Sequence, residues 1–167
     1  MPSNVEIKAR IDDADAFEGR VASIADGEGE TIEQCDTFFV AVRGRLKLRE
    51  LPDGSGELIH YERPDGSGPR ASDYRVATTQ HAAPWRALLA RALGVRGTVR
   101  KRRRLYRSGR TRIHVDRVEG LGDFMELEVA LAEGEDPAAG RTVAKELMAR
   151  LGVEPDDLVE VAYVDLL

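Results

Sequence analysis

The sequence predicts an α+β fold: antiparallel strands with one apolar and one charged face, covered on the apolar side by amphipathic helices. Two observations carry this. Apolar and polar residues alternate with period two through NVEIKAR (residues 4–10), RGRLKLRE (43–50), RTRIHVD (110–116) and DFMELEVAL (123–131), the signature of a strand with two unlike faces. Between these runs lie stretches in which apolar residues return every three or four positions, the period of a helix that covers something.

The elements follow in order. NVEIKAR is a strand with Val5, Ile7 and Ala9 on one face and Asn4, Glu6, Lys8 and Arg10 on the other. Asp12 to Ala25 reads as a helix, with cap-competent acids first and Ala16, Phe17, Val21 and Ile24 on a stripe. RGRLKLRE, LPDGSG and ELIHYERPDG form a hairpin, because Pro, Asp, Gly and Ser cluster between two β-rich runs. A second helix runs from Trp85 to Leu93, opened by Pro84 and stopped by Gly94. Three further strands, TVRKRRRLYR, RTRIHVDRVEG and GDFMELEVAL, are separated by turns at Ser108-Gly109 and Gly120 to Gly122. A third helix spans Pro137 to Leu151, and a short one is expected around Asp156 to Val161. No repeat or low-complexity linker interrupts the series, so residues 1–167 are expected to form a single domain.

Composition narrows the function. The 167 residues are 42% hydrophobic with a net charge of −5, enough for a sizeable core. Bases crowd into Arg43 to Arg49 and Arg96 to Arg112, while acids dominate 12–36 and 116–160. The one cysteine, Cys35, is read as a packing residue, and no Cys/His cluster offers a zinc site. Without a signal-like N-terminus or a run of about 18 apolar residues, the expected location is cytoplasmic, with no membrane partner. The run RKRRR lacks interleaved aromatics and sits in an acidic chain, which speaks against nucleic acid as a ligand.

The charged strand faces pose the functional question. Arg45, Lys47 and Arg49 share a face, as do Arg112, His114 and Asp116, and Glu126 and Glu128. A flat sheet would leave these groups in water. A sheet curled into a barrel of about eight strands would turn them toward an interior that can hold one small ligand. Carboxylates at Glu6, Asp116, Glu126 and Glu128 suit a hard cation such as Mg²⁺ or Mn²⁺. Guanidinium and ammonium groups at Lys8, Lys47, Arg49, Lys101 and Arg103 suit phosphate oxygens.

In this order, NVEIKAR, RLKLRE, YERPDG, RKRRR, IHVDRVEGLGDFMELE and YVDLL resemble the CYTH domain family of class IV adenylyl cyclases and thiamine triphosphatases. The resemblance spans nearly the whole chain, and VDxVxGLGxFxELE is its most specific part. It implies a closed antiparallel eight-stranded β-barrel, or tunnel, with helices packed on the outside, acting on a triphosphate with Mg²⁺ or Mn²⁺. By this resemblance Glu6, Asp116, Glu126 and Glu128 hold metal. Lys8, Lys47, Arg49, Lys101 and Arg103, with Arg112 and His114, hold substrate, and Glu6, Lys8, Arg49, Lys101 and Arg103 serve catalysis. The family's ExExK signature falls on Asn4, Glu6 and Lys8, so the first Glu is an uncharged amide here. A tunnel lysine of the family has no fixed counterpart among His60, Glu62 and Arg63.

The expected substrate is a small triphosphate, whether tripolyphosphate, thiamine triphosphate or ATP. Hydrolysis of the terminal phosphate is the first reading, since aromatic residues are only 5% of the chain and no adenine-stacking site stands out. Cyclisation of ATP and a noncatalytic polyphosphate or nucleotide sensor are the alternatives. A homodimer is one assembly the sequence allows. Trp85 is read as packing a helix on the barrel, Gly120 and Gly122 as serving a turn, and Tyr106 and Tyr163 as either ordering the tunnel mouth or packing.

Overall fold

The computed structural model describes residues 3–62 and 69–167. The strands are β1 (Ser3–Arg10), β2 (Glu30–Phe39), β3 (Arg45–Glu50), β4 (Gly56–Glu62), β5 (Arg70–Thr79), β6 (Val95–Ser108), β7 (Thr111–Val118) and β8 (Gly122–Ala130). The helices are α1 (Ala14–Ile24), α2 (Ala82–Leu93) and α3 (Pro137–Leu151). All strand pairings are antiparallel, and the strands close in the order β1-β5-β4-β3-β2-β6-β7-β8. The helices lie outside, as the sequence reading anticipated.

Local chemistry sets the helix ends. The Asp13 carboxylate accepts the Ala16 N–H at 3.1 Å, capping α1. Helix α2 starts at Ala82, ahead of the expected Trp85, and ends at Gly94 (φ +83°). Helix α3 has the expected bounds, with Asp136 accepting the Ala138 N–H at 2.9 Å. The helix expected around 156–161 does not form. Short 3-10 turns occupy Pro155–Asp157 and Tyr163–Leu166 instead. Between them the chain lies along β1, where the Val159 N–H donates to the Lys8 carbonyl at 2.9 Å and Ala9 bridges Leu158. Backbone groups that a helix would use internally are spent on the barrel edge.

The apolar strand faces point outward, against helices. Ile7, Ile113, Val115, Met125 and Leu127 pack with Phe17 and Val21 of α1 and Leu147 and Leu151 of α3. Full burial of side chains this size contributes about 1.5–3 kcal/mol each. Leu48 of β3 meets Trp85 and Leu89 of α2. A second apolar cluster, Phe38, Val99, Val118 and Phe124, lies on the inward faces at one end of the barrel and receives Ala162, Tyr163 and Val164. Gly97 permits that approach, because a Cβ there would sit 2.7 Å from Val164 Cγ2. The segment after α3 therefore fills one end of the barrel. Among the described residues no helix is long and apolar enough to cross a membrane.

Candidate active site

The charged strand faces line an interior cavity of about 360 Å³. Alternation along each strand places them there: with Val5, Ile7, Leu48, Ile113 and Leu127 committed to the outer layer, their neighbours turn inward. Asn4, Glu6, Lys8, Lys47, Arg49, Lys101, Arg103, Arg112, His114, Glu126 and Glu128 all reach the cavity wall.

One wall is cationic and built around Asp36. This β2 carboxylate, 1% exposed, lies beside Arg49 in the β2–β3 register. Arg49 Nε donates to Asp36 Oδ1 and Nη2 to Oδ2, both at 2.8 Å, a two-point hold with charge assistance. Lys47 and Lys101 each place Nζ 3.3 Å from Asp36 Oδ2. Burial pushes the Asp36 carboxyl up, but Arg49, Lys101 and Lys47 outweigh it and hold the group well below the usual carboxylate range. Burial pulls the Lys101 ammonium down to about 7 against the opposing attraction of Asp36. Arg103 repeats the motif on Asp116, with Nε and Nη2 each donating at 2.7 Å, and the Tyr163 hydroxyl donates to the same carboxylate at 2.8 Å.

The other wall is acidic. His114 Nδ1 and carboxylate oxygens of Glu126 and Glu128 lie within 4.8 Å of one another. Glu6 stands beside Glu128, and Lys8 beside Glu126, in the β1–β8 register. Glu126 meets Lys8 and Arg103 at 3.7 Å, whereas Glu128 binds Arg112 at 2.7 Å. His114 Nδ1 is buried with no hydrogen-bond partner, 3.7 Å from Glu126 and 3.9 Å from Glu128. Burial and the nearby Arg103 charge lower the His114 pKa, which favours neutral imidazole. A ring nitrogen and two carboxylates this close together form a group that could hold a divalent cation.

The structure thus brings Glu6, Glu126 and Glu128 to one wall and holds Asp116 apart, in the grip of Arg103 and Tyr163. His60 and Glu62 face outward near Arg43, Asp73 and Arg75, and Arg63 lies outside the described residues. Tyr106 also faces outward, toward Glu18. Tyr163 points inward, with Lys8 Nζ 3.8 Å and Lys101 Nζ 5.1 Å from its ring centroid. Sequence reasoning missed Asp36, Glu57, Tyr61 and Tyr74, which also line the cavity. For Asp36 the available signal was its alternation with Gln34 and Phe38. A wider groove of about 690 Å³ on the outside of the β2–β6–β7 wall is lined by charges of both signs, among them the pairs Arg86 with Glu50 and Arg102 with Glu33.

Comparison with known proteins agrees with this architecture. The CYTH domain family model matches residues 3–163. The chain is 29% identical to adenylate cyclase CyaB of Aeromonas hydrophila over 168 residues, covering 95% of this chain and 85% of that protein. The PH1012 protein from Pyrococcus horikoshii OT3 superposes with a TM-score of 0.87 at 23% identity, over 98% of this chain and 99% of its own. The Hippeastrum protein HpAC1, described as having a dominant triphosphatase activity, superposes with a TM-score of 0.67 at 14% identity, over 98% and 94%. At these identities the two structures attest the fold alone.

Proposed function

The chain belongs to the CYTH domain family, and from that premise we propose that it is a metal-dependent triphosphatase acting on a small inorganic or organic triphosphate. The observation that carries this reading is the division of one cavity into a cationic wall at Lys47, Arg49 and Lys101 and an acidic wall at Glu126, Glu128 and His114. A polyanion bound with a divalent cation needs both, side by side.

In this reading Glu6, Glu126 and Glu128 hold the cation, with His114 Nδ1 as a further donor. Asp116 serves through Arg103, whose guanidinium it fixes. The cation, Mg²⁺ or Mn²⁺, supplies charge neutralisation and polarisation at phosphorus. Arg49 and Arg103 each spend two N–H groups on an aspartate and keep their remaining donors for phosphate oxygens. Lys8, Lys47, Lys101 and Arg112 add positive charge where negative charge develops on nonbridging and leaving oxygens. Water attacking the terminal phosphorus, in line with the departing diphosphate oxygen, yields orthophosphate.

A second reading, cyclisation of ATP, draws on the relative named adenylate cyclase and on Tyr61 and Tyr74. These two are cross-strand neighbours in the β4–β5 register on the cavity wall and offer aromatic surface to a base. There the ribose 3′-hydroxyl attacks the α-phosphorus and pyrophosphate leaves. The test is incubation with Mg²⁺ or Mn²⁺ and, separately, tripolyphosphate, thiamine triphosphate and ATP, with products resolved by chromatography. Orthophosphate release that Glu126→Gln abolishes supports the triphosphatase. Cyclic AMP with pyrophosphate replaces it with the cyclase, and tight binding without turnover leaves a sensor.

A further inference from the structure

We infer that Asp36 is the positioning residue of the tunnel: an internal anion that gathers Arg49, Lys47 and Lys101 into a preassembled wall for the phosphate chain. The inference rests on the triphosphate reading above and adds to it a residue that need not touch substrate.

Three cations converge on one carboxylate from both sides of β2. Arg49 and Lys47 come from β3 and Lys101 from β6. A guanidinium is planar, so a two-point hold at 2.8 Å on both oxygens fixes its orientation as well as its place. The other N–H groups of Arg49 are then directed before any ligand arrives. Lys47 and Lys101, both at 3.3 Å, are flexible chains whose ammonium groups would repel each other and Arg49 without an anion among them. Asp36 is 1% exposed, so bulk water screens these charges little. Ordering these side chains during folding, rather than on binding, leaves less entropy to be lost with the ligand.

The charge state of Lys101 offers a readout that plain packing would not move. Lys101 is faced by Asp36 from β2, Lys47 and Arg49 from β3, Arg103 on β6, Asp116 from β7, Glu126 from β8 and Tyr163 from the C-terminal turn. Asp36 heads the groups that favour its ammonium form. Replacing the carboxylate with an amide lowers the pH at which that ammonium is lost.

The experiment is calorimetric titration of the purified protein with tripolyphosphate, with and without Mg²⁺, from pH 6 to 9. Glu126→Gln, which leaves Asp36 in place, is run in parallel. We expect Asp36→Asn to weaken binding by about tenfold or more, as for loss of a charge-assisted hydrogen bond, and to move the midpoint of the affinity loss to lower pH. Equal or tighter binding by Asp36→Asn overturns the inference, as does weaker binding with the midpoint unmoved. Should Asp36→Asn fail to fold, Arg49→Lys puts the same question, since it keeps the charge but cannot span both oxygens. Undiminished affinity in that variant overturns the inference. Wild-type protein that binds no tripolyphosphate removes the triphosphate reading, and this inference with it.

Discussion

The two walls of the cavity carry opposite charge and are built in opposite ways. On the cationic side each arginine is matched to an aspartate at 2.7–2.8 Å, Arg49 to Asp36 and Arg103 to Asp116. On the acidic side Glu128 is held by Arg112 at 2.7 Å, but Glu126 sits 3.7 Å from Lys8, Arg103 and His114, and His114 Nδ1 has no hydrogen bond. The first wall is complete as folded. The second is looser at Glu126 and His114.

The contrast breaks most sharply at Glu126. Glu126→Gln should lower metal-dependent turnover by on the order of 10²–10³-fold, the scale for losing one strong electrostatic contact to the reacting group. Tripolyphosphate binding without metal should stay within a few fold. Full turnover by that variant, read as orthophosphate release, would show that the acidic wall is not the metal side.

Arg103→Lys probes the finished wall. The ammonium keeps its charge but cannot occupy both Asp116 oxygens, and kcat/KM should fall by about 10- to 100-fold, the range for charged hydrogen bonds. A loss within twofold would mean that the paired geometry is incidental.

A smaller effect is expected from pH. With Lys101 titrating at about 7 in the empty tunnel and a bound polyanion favouring its ammonium, binding below that pH takes up no proton. Above it, binding must. Affinity should therefore fall as pH rises past about 7, by at most about tenfold per unit. Lys101→Arg, always protonated, should flatten the profile, and parallel profiles for the two proteins would show that Lys101 does not titrate there.

The smallest effect is expected outside the barrel. Arg102 pairs with Glu33 at 2.6 Å, but both side chains are more than half exposed. Arg102→Ala should change stability by less than about 0.5 kcal/mol, read as an essentially unmoved Tm. A large shift would mean that the outer charges are not the solvated surface they resemble.

Which parts were legible in the sequence follows from how each strand is used. β1, β3, β7 and β8 have a helix behind them and a cavity in front, so apolar and charged residues alternate cleanly. β5 was not anticipated, because the outward residues Asp73, Arg75 and Ala77 are exposed and both faces read as polar. β2 hid for a related reason: Glu30, Thr31 and Glu33 are exposed, and the acids around them suggest a surface segment. Asp36 lay within that strand, and its importance depends on Arg49 and Lys101, which only the β2–β3 and β2–β6 registers bring to it. Carboxylates of Asp116 and Glu126 share inward faces and look alike in sequence. Only side-chain geometry separates the one held by arginine from the one beside His114.

The C-terminal turn that fills one end of the barrel has a consequence for biosynthesis. Lys8 Nζ donates to the Val161 carbonyl, a contact between residues 153 positions apart, and β1 must find β8 before the wall closes. A chain emerging from the ribosome exposes its first strand long before any partner exists, with unpaired edges and a row of charges meant for an interior. Pairings this distant slow folding and lengthen the interval in which those edges can capture one another. The cavity can therefore close in this form only after residues 161–163 have been made.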